Sequence, residues 1–176
     1  LPLAKDHLGH PDANGAVTTF SYTARGRLAS RSVAGETTSY EYDAAGNLAK
    51  VTLPDGAWVH YLYDAASALI AIDDSLGNVI EYELDVMGNR VQESVYDPQG
   101  RLKRTLQRAY DGVNRLQQEL GAAGQATQYG YDVNGNVTST TDPLFRQSTN
   151  TYDELNRLIN SRDPANGDTV FTYDAR

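Results

Sequence analysis

Carboxylates are the residues of this chain whose type and spacing could do chemistry. Asp73-Asp74, or Asp163 together with Asp168, could serve as a catalytic acid and base or as calcium ligands. Neither pair fits the loop of an EF-hand, which needs regularly spaced acidic residues, a Gly and a later Glu. An Asp side chain commonly stabilises a turn by accepting backbone N–H groups. We therefore predict turn-forming aspartates, no catalytic residue, no metal ligand and no cofactor.

Histidine offers two further candidate sites. His7 and His10 lie three residues apart beside Asp6 and Asp12, but two nitrogen ligands in an irregular end are typical of a solvated loop rather than a metal site. His60 is the remaining histidine and falls on a predicted strand. A Ser-His-Asp triad needs a nucleophile and an orienting carboxylate around it, and no such pattern is evident, so we interpret His60 as a packed or surface residue.

A motif of the form Tyr-Asp-x-x-Gly-(Asn/Arg)-(Leu/Val) recurs along the chain. Asp43, Asp64 and Asp85 are 21 residues apart, and the same interval separates Asp111, Asp132, Asp153 and Asp174. A fixed period of this size indicates a repeat architecture. We assign these residues to the structural motif: Tyr22, Gly26, Tyr42, Asp43, Gly46, Tyr63, Asp64, Asp85, Gly88, Tyr96, Asp97, Gly100, Tyr110, Asp111, Tyr131, Asp132, Gly135, Tyr152, Asp153, Tyr173 and Asp174.

Each motif position has a physical interpretation. Aromatic residues two apart, such as Tyr129 and Tyr131, lie on one face of a strand, and all twelve tyrosines occupy one of these two positions. Asp then opens a turn, and Gly supplies a positive φ, as in a type I turn followed by a G1 bulge. Asn114 and Asn156 replace this Gly, as their tolerance of the left-handed region allows, whereas Ser67 fits poorly. Leu or Val begins the returning strand.

A second set of turns follows each motif Asp by about 10 or 11 residues, for example at Asp142-Pro143. One β-hairpin per repeat results. The predicted fold is all-β, with tandem antiparallel hairpins of about 21 residues forming a long coiled sheet over residues 20–176, after an irregular segment or partial repeat at 1–19. Between Asp85 and Asp111 the interval is 26 residues, and we interpret Asp97–Gly100 as a turn at the opposite edge of one lengthened hairpin.

Composition restricts the classes of partner. The net charge of −8 would repel phosphate backbones and argues against nucleic-acid binding. No apolar run approaches the roughly 20 residues of a membrane helix, so membrane insertion is not expected. Cys is absent, which excludes disulfides. The chain begins Leu1-Pro2-Leu3 without a signal peptide or an initiating Met, so we expect a fragment of a longer protein whose export signal would lie elsewhere.

The motif and its 21-residue period resemble the Rhs/YD-repeat family, which includes bacterial Rhs polymorphic toxins, the C component of insecticidal toxin complexes and teneurins. The resemblance covers about residues 20–176. It implies a hollow β-shell that encloses a toxic C-terminal polypeptide, and therefore a secreted or cell-surface protein. The family's core-domain protease has no counterpart among these repeats, so its residues are not assigned here.

We therefore expect a structural, non-enzymatic segment of such a shell. Its expected partners are the rest of its own shell and an encapsulated toxin polypeptide, and its unpaired sheet edges favour self-association. The alternative is a cell-surface module that binds carbohydrate through exposed Tyr rows such as Tyr129 and Tyr131.

Overall fold

A computed structural model describes residues 7–8 and 15–174. These residues form strands and turns without a helix, which confirms the all-β fold of tandem antiparallel hairpins. In the described part of the chain, accordingly, there is no helix that could cross a membrane. The first eight strands are β1 His7–Leu8, β2 Thr18–Tyr22, β3 Leu28–Val33, β4 Glu36–Tyr42, β5 Leu48–Thr52, β6 Trp58–Tyr63, β7 Leu69–Asp74 and β8 Val79–Leu84. The others are β9 Arg90–Tyr96, β10 Leu102–Tyr110, β11 Leu116–Leu120, β12 Ala126–Tyr131, β13 Val137–Thr141, β14 Gln147–Tyr152, β15 Leu158–Arg162 and β16 Asp168–Val170.

Contacts divide the chain into two compact units. The first contains the described residues up to Tyr82 together with Val95–Lys103. Its strands pair antiparallel in chain order from β1 to β8, with registers such as Tyr40 opposite Val51 and Ile72 opposite Ile80. Each strand is therefore bonded to its sequence neighbours, as expected of consecutive hairpins.

The second unit contains Glu83–Ser94 and the described residues from Arg104 onwards. Its strands from β10 to β16 also pair antiparallel in chain order, for example with Tyr129 opposite Thr140. The repeat thus builds the same hairpin in both units.

Neither unit has a fully buried apolar core. Among the described residues, no hydrophobic side chain is buried, and the buried residues are Ser94 and Asp97. Most strand residues are half-buried on both faces, which is the burial expected of one sheet layer rather than of two packed layers. Cohesion must therefore come from contacts between neighbouring strands.

The motif turns share one backbone geometry. The N–H of the opening residue donates to the carbonyl four residues later, as Asp132 does to Asn136 at 3.0 Å. The N–H three residues after the opening residue donates to the carbonyl of the opening residue, as Gly135 does to Asp132 at 3.2 Å. The strand pairing shifts by one residue just before the motif Tyr, for example between Gly130 and Tyr131. This is the pattern of a type I turn with a bulge, and it lets strands return directly on themselves.

The fifth motif residue has a positive φ in every described motif turn, whatever its side chain. Gly46 and Gly135 have φ of 104° and 90°. Ser67, which the sequence marked as a poor fit, adopts 64°, close to the 64° of Asn114 and the 58° of Asn156. The turn geometry therefore overrides the preference of Ser against this region.

Most turns of the second set use the same closure, as at Asp142 with Arg146 and Phe145. Within the first unit, the turn at Asp97–Arg101 lies next to a turn of the second set, the one that contains Gly77. The two turns are so close that a Cβ added at Gly77 would lie 3.3 Å from Cβ of Pro98. The turn predicted at Asp97–Gly100 is thus present. One turn of the second set, at Ala34-Gly35, was missed by the sequence analysis; both residues have a positive φ, of 52° and 89°.

The segment predicted as irregular or as a partial repeat, 1–19, is only partly described. β1 pairs His7 with Phe20 and Leu8 with Thr19, and β2 begins at Thr18. The dipeptide Asn14-Gly15 also predicts a hairpin turn from its sequence, and its Asn lies outside the described residues. The division of the chain at residues 19 and 20 stays a prediction.

Candidate functional site

The repeated motif turn is the candidate functional site, and the copy at Asp132 illustrates its chemistry. Oδ1 of Asp132 accepts the backbone N–H groups of Asn134 and Asn136, both at 2.9 Å. Oδ2 accepts the Asn136 side-chain amide at 2.8 Å. The carboxylate therefore satisfies backbone donors that the turn would otherwise leave without a partner, and it holds the sixth motif residue in place.

The same arrangement recurs at other motif aspartates. At Asp111 the sixth residue is Arg115, whose Nε donates to Asp111 Oδ2 at 2.7 Å. In the first copy Thr23 replaces Asp, and its Oγ1 accepts the N–H of Arg27 at 3.2 Å. Carboxylates that open a turn and accept backbone N–H groups in this way are Asp43, Asp64, Asp74, Asp85, Asp97, Asp111, Asp132, Asp142, Asp153 and Asp163.

These hydrogen bonds stabilise the ionised carboxylates. The side-chain amide of Asn136 lowers the pKa of Asp132, and backbone N–H groups of the turn lower it further. At Asp97 partial desolvation raises the pKa, but the N–H of Arg101 and the charged groups of Lys103 and Arg101 outweigh it, so the pKa falls to about 2. Such groups are poor general bases near neutral pH, because a catalytic base works best with a pKa near the working pH.

The motif tyrosines connect one copy of the motif to the copy before it. The Tyr131 hydroxyl donates to the Leu116 carbonyl at 2.7 Å, and Leu116 is the seventh residue of the preceding copy. Burial raises the pKa of Tyr131, so the hydroxyl stays a donor. The same bond, here called the tyrosine ladder, joins Tyr42 to Leu28, Tyr63 to Leu48, Tyr110 to Arg90, Tyr152 to Val137 and Tyr173 to Leu158.

The structure also places the other residues of the predicted motif. Gly26, Gly46, Gly88, Gly100 and Gly135 take the positive-φ position of their turns. The tyrosines that end a strand are Tyr22, Tyr42, Tyr63, Tyr96, Tyr110, Tyr131 and Tyr152. Tyr173 and Asp174 lie beyond β16.

The candidate carboxylate pairs separate into different contacts. Asp74 opens a turn, whereas Asp73 Oδ1 lies 3.1 Å from Nδ1 of His60. Asp163 opens a turn, whereas Asp168 accepts two hydrogen bonds from Arg162, both at 2.9 Å. Within the described residues no three His, Cys, Asp or Glu side chains cluster as metal ligands would. The His10, Asp6 and Asp12 candidates lie outside the described residues.

The sequence analysis did not assign a role to the sixth motif residue. Its side chain contacts both its own Asp and the next copy, as Asn47 does with Asp43 Oδ2 at 2.9 Å and with Ser67 Oγ at 3.0 Å. The signal was present in the restriction of this position largely to Asn and Arg, the two side chains that combine several donors with a planar end group.

Comparisons with known proteins agree with this geometry. A family model described as RHS Repeat matches residues 29–57 and 110–144. The double-stranded DNA deaminase toxin A of Burkholderia cenocepacia (strain H111) is 30% identical over 158 residues, which are 89% of this chain and 9% of that protein.

Solved structures share the fold. The Tc holotoxin pore of Photorhabdus luminescens superposes with a TM-score of 0.73 at 18% identity, over 88% of this chain and 9% of that chain. A crystal structure of TcdB2-TccC3-Cdc42 gives a TM-score of 0.74 at 19% identity, over 91% of this chain and 10% of that chain. This chain therefore spans about a tenth of the length of the relatives that it matches.

The tyrosine ladder predicts a specific loss of stability. Tyr131→Phe removes one hydrogen bond to the Leu116 carbonyl and keeps the ring, so we expect the free energy of unfolding to fall by about 1 kcal/mol. Urea unfolding followed by circular dichroism measures it. Tyr129→Phe, two residues earlier on the same strand face, is the matched control because its hydroxyl is outside the ladder. Equal effects of the two substitutions would contradict this role.

The turn carboxylates predict a loss of stability in acid. Their pKa values are lowered in the fold, so their contribution is complete above the unfolded pKa of about 3.9 and is lost as the pH falls through the folded pKa. We expect the urea midpoint to decrease from pH 5 towards pH 2. Asp132→Asn should lower the midpoint at pH 7, and its difference from the wild type should shrink in acid. Glu154→Gln removes the same negative charge from an exposed side chain and should leave the midpoint nearly unchanged. An equal drop of the midpoint in this variant would refute the stabilising role of the turn carboxylates.

Proposed function

We propose that this chain, whose residues 29–57 and 110–144 match the RHS Repeat family model, forms part of the wall of a shell that encloses a separate polypeptide segment of a longer protein. It contributes structure and no catalysis. Its array, 20–176, continues into the rest of the same shell. The relatives named above are toxins or toxin assemblies, so the enclosed segment is proposed to be a toxic or otherwise secreted polypeptide. Secretion or display at the cell surface follows from that role.

The observation that carries this proposal is a sheet without a core of its own. No hydrophobic side chain among the described residues is buried, although the strands are continuously paired with their sequence neighbours within each unit. A globular domain stabilises itself by burying apolar side chains between layers. A paired layer with two accessible faces instead separates one side from the other, which is the task of a wall.

The chemistry of the turns also supports a wall. The motif carboxylates are occupied by backbone donors and by Asn or Arg side chains, so they are not available as nucleophiles or bases. The net charge of −8 keeps the surface soluble and disfavours nucleic acid as a partner.

Limited proteolysis of the full-length protein tests enclosure. The polypeptide segment that the repeats enclose should resist protease in the wild type. It should be cleaved much faster when Tyr131→Ala and Asp132→Ala together open the wall, because both a ladder bond and a turn are lost. Mass spectrometry of the fragments locates the cleavage, and Glu154→Gln is the control. Equal protection in the wild type and the opened variant would refute the proposal.

We also propose edge-to-edge self-association of the isolated chain. Within the described residues β16 pairs with β15 alone, and all three of its residues are exposed. A strand edge with free N–H and C=O groups can pair with another chain. Sedimentation velocity should therefore give a mean mass that rises with protein concentration. A strict monomer at high concentration would refute it.

Carbohydrate binding is the second candidate function. Tyr129 lies beside Gln117, Gln118 and Gln128 around a shallow pocket in the second unit. An aromatic ring with neighbouring amides is a combination suited to a sugar. A glycan-array signal that Tyr129→Ala abolishes without loss of fold would favour this candidate over the shell.

A further inference from the structure

The sixth motif residue contacts the next copy of the motif in two different ways, depending on its type. Where it is Arg27, Arg115 or Arg157, the guanidinium stacks on the tyrosine that opens the next copy. Cζ of Arg115 lies 4.7 Å from the centre of the Tyr131 ring, and Cζ of Arg157 lies 4.6 Å from that of Tyr173. Arg27 and Tyr42 form the same pair at 5.4 Å. The contact is a cation–π interaction, which needs a free ring face.

Where the sixth residue is Asn, its amide reaches the fifth residue of the next copy instead. Nδ2 of Asn136 donates to Oδ1 of Asn156 at 2.8 Å, and Nδ2 of Asn89 donates to Oδ1 of Asn114 at 3.0 Å. Asn47 makes the equivalent bond to Oγ of Ser67. The amide has two N–H donors, and one goes to its own Asp while the other goes to the next copy.

The fifth residue of the next copy differs accordingly. Each sixth-position Asn precedes a fifth residue with a side-chain acceptor, in the pairs Asn47 with Ser67, Asn89 with Asn114 and Asn136 with Asn156. The copy at Tyr96 is separate, because its turn belongs with the second set and Asn89 contacts Asn114 past it. Among the remaining copies, each sixth-position Arg whose next fifth residue lies within the chain precedes a Gly, in the pairs Arg27 with Gly46 and Arg115 with Gly135. The residue type at the sixth position of one copy therefore correlates with the residue type at the fifth position of the next copy.

The two combinations have different physical causes. A Cβ added at Gly46 would overlap the guanidinium of Arg27, so a side chain there would displace the guanidinium from its present position. At Gly135 a Cβ would meet open space, and Arg115 instead donates from Nη1 to the Asp132 carbonyl at 3.0 Å, a bond that needs nothing from the fifth side chain. Asn, in contrast, needs an acceptor to use its second N–H.

We propose that the sixth residue of each motif copy recognises the next copy in one of two ways: Asn requires an acceptor side chain at the next fifth position, whereas Arg stacks on the next tyrosine and requires no side chain at that position. The contact is a recognition site whose partner is another copy of the motif. It determines which repeats fit side by side, and it accounts for the residues that replace Gly at a positive φ. This assignment does not depend on enclosure, since it concerns the fit between repeats.

A double-mutant cycle at Asn136 and Asn156 tests the proposal. Asn136→Arg alone removes the donor of the bond to Asn156 Oδ1, and Asn156→Gly alone removes its acceptor, so each single variant loses this bond. The double variant restores a matched Arg and Gly. The measurements are the unfolding equilibrium in urea and hydrogen exchange of the Asn156 and Arg157 amides, which report this turn even when the rest of the chain stays folded.

We expect the double variant to be more stable than the sum of the single effects predicts, by at least about twofold in the equilibrium constant, with exchange protection restored. Asn136→Arg combined with Asn114→Gly is the control, because Asn114 follows Asn89 and not Asn136. That combination should be additive. Additive behaviour at Asn136 and Asn156, or equal coupling in the control, would overturn the proposal.

Discussion

Hydrogen bonds to main-chain carbonyls between neighbouring repeats are the interaction on which this structure depends. Since no described apolar side chain is buried, a hairpin cannot be held by a core of its own. The tyrosine ladder joins neighbouring repeats whatever side chains lie on the faces of the sheet, because each hydroxyl bonds to a backbone carbonyl, which is present in every sequence. The remaining side chains can then vary without loss of the fold, which is consistent with a structural likeness that persists at 18–19% identity.

In the turns, carboxylates also bond to main-chain groups, as the tyrosine hydroxyls do between repeats. An Asp whose oxygens accept backbone N–H groups fixes the loop, and the sixth residue on its other oxygen extends the order to the next copy. One acidic residue thus links local turn geometry to contact between repeats. Of the aspartates that resemble catalytic residues in the sequence, Asp74 and Asp163 build turns, whereas Asp73 contacts His60 and Asp168 pairs with Arg162.

Much of this architecture could be predicted from the sequence, because the repeated motif reflects the conformational preferences of residues that are close along the chain. The 21-residue period, the Tyr face and the Gly position depend on neighbours along the chain, and the predicted fold and the Rhs/YD resemblance are confirmed. The Ala34-Gly35 turn was missed because it lacks an Asp, although two positive φ values close it. The restriction of the sixth position largely to Asn and Arg signals a role for Asn136 and Arg115, but their partners could not be predicted, since these depend on which atoms of the next copy lie within reach.

The tyrosine ladder gives the array a direction. Every bond runs from a hydroxyl in a later copy to a carbonyl in an earlier one, as from Tyr152 to Val137. The acceptor is consequently synthesised before its donor, by 15 residues in that pair. A hairpin emerging from the ribosome finds its docking position already formed, so the array can assemble from its amino-terminal side one repeat at a time, without waiting for the chain to be completed.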